Sequence, residues 1–467
     1  MRFAPTAAVG FLFPTITAKL IRDSLDNTPL HIHHSITNNF TESTTSLSFT
    51  WTTRTQNKTN DNIMANFCNS VKLLDPSKTV VTASYEGTAS TYPTTEDIIH
   101  NTFVDSLDYE TAYSYQVGCD QLLWSDVLEF VSPPKPATGM DFDQPWSFLS
   151  YGDMGIAESA QGTKDAIMAE LKGSNYELTI HNGDISYACG SDDTWDNWFD
   201  MVDGYINEFP YMVTVGNHEL LDGDSGGEDG VPYATRFNMP GDGSNIFDMK
   251  LFYSFTHRYV KFIQIATDVD YGVGTTQFNW LEKELSEVDR TLTPWVIVSG
   301  HKPMYCSSTF GSNDRNDNTG RGNAGDLTKE LEPLMQKYQV DVFLAGHIHA
   351  YERTKPVTNN GTSIDEDCIE KGTINNGVGD VYRNPKYTTH LLLGMAGAGH
   401  LGDTFNILND TAWPVFSEQA WGFMRMTFHN ASAFQMEFVG NGNGFGLPPG
   451  SPTHAGVHDA VMIIKDL

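Results

Sequence analysis

From residue 146 onward the chain alternates between short apolar runs and stretches whose apolar positions recur every three or four residues. The runs WSFLSY, YELTIHN, YMVTV, WVIVS and VDVFLA are rich in β-branched and aromatic residues and end at glycine, which predicts buried strands. The stretches SAQGTKDAIMAELKG, TTQFNWLEKELSEVD and GDLTKELEPLMQKYQ carry the helical period. Their alternation predicts an α/β domain with stacked sheets over 147–437, followed by a tail, 438–467. Upstream, over 28–132, the pattern is short and Thr-rich: TSLSFTWTT, KTVVTASYEG, ETAYSYQVGC and WSDVLEFVS, as expected for a small β-sandwich acting as a spacer or packing module. The prolines of SPPKPATGMDFDQPW make 133–146 a stiff linker. Stretches 307–326 and 357–379 are polar and read as long surface loops. With loops around 220–235 and 395–410, the first of these is where substrate choice is expected.

Composition narrows the functional classes. The chain has 467 residues, 59 acidic against 28 basic, and a formal net charge of −31. Such a field repels nucleic acid and anionic membranes, and it would repel a small anionic substrate unless a local positive centre reverses it. The glycine-rich loops lack the Lys-Ser/Thr of a nucleotide P-loop. Cys68, Cys119, Cys189, Cys306 and Cys368 show no CxxC spacing, so a zinc ribbon or thioredoxin-like motif is excluded. They are either buried thiols or, in an exported chain, the pairs Cys68 with Cys119 and Cys306 with Cys368. Segment 1–27 reads as a weak signal sequence, and acceptor patterns for N-glycosylation stand at Asn39, Asn57, Asn360, Asn409 and Asn430. Both lean towards a secreted, endomembrane or vacuolar-lumen protein. His31, His33 and His34 in HIHHS read as strand-face residues, because no carboxylate or cysteine stands nearby in sequence to complete a metal set.

The chemistry lies where the apolar runs stop. They end at Asp153, at Asp184 with Tyr187 following in GDISY, at Asn217 and His218, at His301, and at His347 and His349. Open α/β sheets place ligand sites beyond the carboxyl ends of their strands, so the five motifs converge on one crevice. One tetrahedral or octahedral ion cannot use so many strong donors, whereas two can. The spacing in GHIH points both imidazoles the same way in an extended segment. Asp184 can bridge while Tyr187 reaches one ion. Glycine before each donor is expected to allow a sharp turn and to remove bulk. A phenol with a pKa of about 10 is held as phenolate at acid pH by trivalent iron rather than by a weak divalent ion. A single Gly-Asp or Gly-His pair is commonplace, usually a cap or a surface residue; the signal lies in five such motifs, each after a strand. His218-Glu219 is not followed by a second histidine at the spacing of a zinc-protease helix, which excludes that reading.

Together GDMG, GDISY, GNHE, VSGH and GHIH resemble the five-motif signature of the purple acid phosphatases, within the calcineurin-like metallophosphoesterases, over 147–437. The resemblance implies two stacked mixed β-sheets flanked by helices, preceded by a fibronectin type III-like sandwich. It implies Asp153, Tyr187 and His349 on iron(III), Asn217, His301 and His347 on a divalent ion (zinc, manganese or iron), and Asp184 as the bridge. His218 is similar to the family's phosphate-contacting histidine and is the first candidate for protonating the leaving oxygen, with Tyr305 second. Some plant members carry a histidine pair where Phe310 and Gly311 stand here. The expected activity is acid hydrolysis of small phosphate monoesters by a metal-bound hydroxide. The alternatives are a metallophosphodiesterase or nucleotide pyrophosphatase on the same site, or an exported glycoprotein with a degenerate phosphatase domain.

Overall fold

The computed structural model describes residues 28–54, 68–120, 123–136, 144–172, 175–221, 223–241, 250–307, 325–374, 377–398, 412–444 and 455–466. The N-terminal part is two four-stranded sheets, one ordered Leu30–Ile36, Thr44–Arg54, Asp97–Asp108, Thr88–Ser90 and the other Val81–Glu86, Ser70–Leu74, Ala112–Gly118, Leu128–Val131. In Thr44–Arg54 the period-two pattern sends Leu47, Phe49 and Trp51 into the core. The alternate Ser48, Thr50 and Thr52 are buried as well, because that face meets other chain rather than water. Ser48, for example, accepts a hydrogen bond from Asn238 at 2.8 Å. A disulfide joins Cys68 to Cys119, beside the paired strands Ser70–Leu74 and Ala112–Gly118. Cys368 keeps its thiol, donated to the Asp365 carbonyl at 3.1 Å, so the second expected pair with Cys306 is not formed.

The second domain stacks an eight-stranded and a seven-stranded mixed sheet. In the first, Tyr176–Asn182 runs parallel to both Trp146–Tyr151 and Tyr211–Thr214. In the second, Trp295–Ser299 runs parallel to Val342–Ala345. All five predicted motif strands therefore lie as direct parallel neighbours within their sheet. Trp146, Phe148, Phe262, Trp295, Phe428 and Phe434 fill the space between the sheets, with Phe148 on Phe262 at 5.4 Å and Trp295 on Phe434 at 5.6 Å between ring centroids. The predicted helices appear as Glu158–Glu170, Thr276–Ser286 and Gly325–Lys337. The sequence reading missed Asp192–Val202, which buries Trp195, Trp198 and Phe199.

Residues 438–467 are not a tail. Ala433–Gly444 and Ala455–Ile464 are inner strands of the eight-stranded sheet, with Val461 and Ile463 fully buried. The glycine- and proline-rich stretch 445–454 between them hid the alternation of AVMII. Within 357–379 short strands replace the expected irregular loop. Residues 1–27, with the signal-sequence reading, and most of the loops 307–326 and 395–410 lie outside the described residues.

A buried ion cluster joins the two domains. Arg236, 1% exposed, donates to Asp192 at 2.8 Å and to both Asp97 and Asp196 at 3.3 Å, while its Nε donates to the Tyr92 hydroxyl at 2.8 Å. Tyr92 and Thr95 of the sandwich donate in turn to Asp192. The histidines of Leu30–Ile36 belong to the same seam, with His31 Nε2 3.1 Å from Asp200 and His33 Nε2 2.9 Å from the Arg236 carbonyl. His31, Asp97 and Asp196 could converge on an ion, but the Arg236 guanidinium already supplies the positive charge between the two carboxylates. Burial and the nearby Asp97 push Asp196 up to about 7.

The native state thus keeps on Asp196 a proton that the unfolded chain, with its carboxyl near 3.8, has released over that interval. That contribution to stability is full below the unfolded value and is lost as pH rises through about 7. Between pH 5 and pH 8, urea unfolding should show the wild type losing stability relative to Asp196→Asn, because only the wild type carries this contribution; an identical pH dependence for the two proteins would contradict it. Removing the central cation with Arg236→Met should cost about 3–5 kcal/mol at neutral pH; a change under about 1 kcal/mol would contradict this account of the seam.

Candidate metal centre

Asp153, Asp184, Tyr187, Asn217, His301, His347 and His349 come together where the two sheets' strand ends meet. Asn217 Oδ1 lies 2.9 Å from His301 Nε2 and 2.9 Å from His347 Nδ1, and the two imidazole nitrogens are 3.2 Å apart. Asp184 Oδ2 is 3.1 Å from His301 Nε2. Alongside, the Tyr187 hydroxyl lies 3.0 Å from Asp153 Oδ1 and 2.8 Å from His349 Nε2, with His349 Nε2 3.4 Å from Asp153. Two donors held roughly 2.0–2.2 Å from one ion at tetrahedral or octahedral angles stand roughly 3.0–3.5 Å apart. The spacings fit a first ion among Asn217, His301, His347 and Asp184, and a second among Asp153, Tyr187 and His349.

Each carboxylate is pinned through its other oxygen by a different motif. His347 N donates to Asp153 Oδ2 at 2.7 Å, and His218 N donates to Asp184 Oδ1 at 2.9 Å. His301 Nδ1 donates to the Asn182 carbonyl at 3.0 Å, which fixes the tautomer and frees Nε2 for the crevice. Glu219 accepts from Asp184 N at 3.0 Å, Ile185 N at 2.8 Å and Gly216 N at 2.9 Å, clamping GDISY to GNHE. Nothing in the sequence reading used Glu219 beyond excluding a protease; its place beside a ligand motif was the signal available.

Backbone geometry corrects the expectation for the glycines. Asp153, Asp184, Tyr187 and His347 themselves take the left-handed conformation, with φ of 59°, 49°, 55° and 72°. Each costs on the order of 1–2 kcal/mol, strain of the kind found at functional sites. Among the preceding glycines Gly183 has φ of 78°, but Gly216 is at −115°. The role of Gly216 is room: a Cβ there would overlap Asp184, as one on Gly346 would overlap Asp153.

The protein's own charges show what the crevice needs. Burial disfavours a charged His301, yet Asp184 outweighs it and pushes the imidazole up to about 10, while burial and His301 push His347 down to about 4. Burial, Asp153 and Asp184 raise the Tyr187 phenol well above its ordinary value, so only a strong cation beside it would draw the phenolate out. The donor set and its spacing suit two metal ions.

His218 sits at the mouth, its side chain 16% exposed and its ring tilted by 44° against Tyr187 at 4.3 Å between centroids. Its Nε2 faces Asp184 Oδ2 at 4.0 Å. Tyr305 is not at the site: its hydroxyl donates to Glu332 and accepts from Gly361 N within a packing layer with Trp413. Phe310, Gly311, Asn57 and Asn409 lie outside the described residues. Asn39 and Asn360 are exposed, while Asn430 is half-buried and accepts from Ser432 N at 2.8 Å.

Three family models match the chain. One is described as calcineurin-like phosphoesterase over 147–351, one as iron/zinc purple acid phosphatase-like protein C over 387–446, and one as purple acid phosphatase, N-terminal domain, over 29–132. Purple acid phosphatase 18 of Arabidopsis thaliana is 32% identical over 341 residues, covering 69% of this chain and 71% of that protein. Probable inactive purple acid phosphatase 9 of the same plant is 30% identical over 395 residues, covering 75% and 54%. The chain spans little more than half the length of several curated relatives that it matches. A solved purple acid phosphatase from yellow lupin (Lupinus luteus) seeds superimposes with a TM-score of 0.75 at 25% identity, covering 94% of this chain and 75% of that one.

Replacing Glu219 by Gln should turn an amide N–H₂ towards backbone N–H groups and cost about 1–3 kcal/mol in chemical denaturation. An unchanged midpoint would show that the clamp contributes nothing.

Proposed function

The chain belongs to the purple acid phosphatase family of calcineurin-like phosphoesterases, and from that premise we propose that it hydrolyses small phosphate monoesters at acid pH. The centre would hold iron(III) and one divalent ion, zinc, manganese or iron. The observation that carries this reading is the set of seven donors, spaced 2.8–3.4 Å apart in two groups, with Asp184 Oδ2 3.1 Å from His301 Nε2 and its charge acting on the Tyr187 phenol.

Asp153, Tyr187 and His349 would hold iron, Asn217, His301 and His347 the divalent ion, and Asp184 both. When bound, the pair supplies Lewis-acid polarisation of the phosphoryl group and activation of water. The chain's own contribution is to fix the donors and to place His218 over the opening. There its Nε2 would hydrogen-bond a phosphoryl oxygen, stabilise developing charge and hand a proton to the leaving alcohol. The family model described as iron/zinc supports the metal choice.

Relatives named as inactive favour a second reading, a degenerate phosphatase domain carried by an exported glycoprotein. The complete donor set speaks for the catalytic one. A metallophosphodiesterase or nucleotide pyrophosphatase would use the same donors, because they hold the metals rather than the leaving group. Secretion or an endomembrane lumen is supported by the Cys68–Cys119 disulfide, which suits an oxidising compartment, and by the exposed acceptor sites at Asn39 and Asn360.

Metal analysis of the purified protein should find about two ions per chain, with monoester hydrolysis at acid pH exceeding that of diesters in a substrate panel. Asp184→Ala should lose both ions and all turnover. Tyr187→Phe should lose the visible phenolate-to-iron band. Fewer than about two ions in the wild type would favour the degenerate reading, and an Asp184→Ala protein with full activity would sink the assignment.

A further inference from the structure

We infer that Asp224, a residue outside the five motifs, is the positioning residue for both Asn217 and His218. Its carboxylate Oδ2 accepts the Asn217 amide N–H₂ at 3.1 Å, and its main-chain carbonyl lies 3.2 Å from His218 Nδ1. The inference rests on the metal reading above and adds what decides whether Asn217 can serve it.

The two ends of an Asn side chain have nearly the same shape and opposite chemistry: the oxygen can ligate a cation, the amide N–H₂ cannot. Asn217 is buried, and its Oδ1 meets His301 and His347 at 2.9 Å each. With both imidazoles neutral and their lone pairs given to an ion, as the metal reading requires, these contacts do not choose the orientation, because neither nitrogen then donates to Oδ1. A carboxylate only accepts. A flipped Asn217 would set its oxygen against Asp224 Oδ2 and its N–H₂ into the crevice, losing the hydrogen bond and the ligand together. Asp224 thus makes the ligating orientation the favourable one.

The same residue fixes His218 by a different atom. With Nδ1–H donated to the Asp224 carbonyl, Nε2 is the nitrogen turned towards Asp184 and the opening. Asp224 is itself held firmly although exposed. Ser225 N donates to the Leu221 carbonyl at 2.7 Å, and Gly230 N to the Glu219 carbonyl at 2.8 Å. Glu228 accepts from Gly190 N at 3.1 Å and from Trp195 Nε1 at 3.2 Å, tying the loop to the segment after GDISY.

The division of labour between side chain and carbonyl makes the inference testable. Asp224→Ala removes the first bond and keeps the second, and an exposed position should leave thermal stability nearly unchanged. Metal content should fall from about two ions per chain towards one, with the divalent ion leaving about 10–100-fold faster into a chelator. The Tyr187 visible band should persist, because its donors do not touch Asp224. Asp224→Asn, whose side-chain oxygen can still accept, should restore the divalent ion to within a few-fold of wild type. Retention of the divalent ion by Asp224→Ala at the wild-type rate would overturn the inference. So would joint loss of both ions and of the band with lowered thermal stability, which marks general loop collapse. An Asn variant as poor as Ala would also overturn it, since charge rather than amide orientation would then be acting. A wild-type protein that itself holds fewer than about two ions fails the metal reading first, a result separable from all of these.

Discussion

Seven lone-pair donors aimed at one another across 2.8–3.4 Å are the constraint on which the second domain depends. None of the seven is Lys or Arg, and two are carboxylates, so the group is repulsive unless protons or cations lie between its members. Rigid surroundings must hold it. The motifs do so by bonding to each other's backbones: His347 N to Asp153, His218 N to Asp184, and Glu219 to the N–H groups of Asp184 and Ile185. No motif can shift alone. That mutual locking explains how four donors persist at positive φ, a cost that isolated turns would relax.

Much of this was legible in the sequence, for a physical reason. Strand runs ending in Gly-donor pairs are local signals, since burial, strand propensity and the need for space beside a ligand act within a few residues. They marked the α/β layers and the seven residues that the fold brings together, with His218 beside them. What was hidden depended on partners distant in the chain. The alternation in 455–464 gains meaning only beside Ala433–Gly444. The HIHHS histidines look like ordinary strand residues until Arg236 and Asp200 are placed against them. Tyr305 stands close to His301 in sequence, but the chain turns it into the layer with Trp413. Glycine before each donor is expected both to turn the chain and to remove bulk; at Gly216 and Gly346 the second need is the one the structure shows, since a Cβ there would overlap Asp184 or Asp153.

The seam between the domains reaches towards the site through short steps. Tyr92, Thr95 and Asp97 of the sandwich engage Asp192 and Arg236. Asp192 opens the helix that carries Trp195, Trp195 holds Glu228, and Glu228 holds Gly190 just beyond Tyr187 and Cys189. Arg236 closes the short helix that follows the loop bearing Asp224. The sandwich therefore packs through this seam towards the two segments that flank His218, which fits the packing half of the expected spacer or packing module.

The acidic surface adds a last constraint on how function can vary on this scaffold. With a net charge of −31, attraction for the proposed phosphate ester would have to come from the crevice, and the cations that would relieve the donors' repulsion are the same cations that would attract the phosphoryl group. Donor geometry and substrate capture are then one requirement, indifferent to what leaves the phosphorus. On the proposed reading, discrimination between leaving groups would fall to residues at the opening that hold no ion, such as His218, whose Nδ1 lies 3.7 Å from Cys189 Sγ. Relatives with and without activity in their names share this fold, so the layers alone cannot decide catalysis. The donors and their orienting partners can.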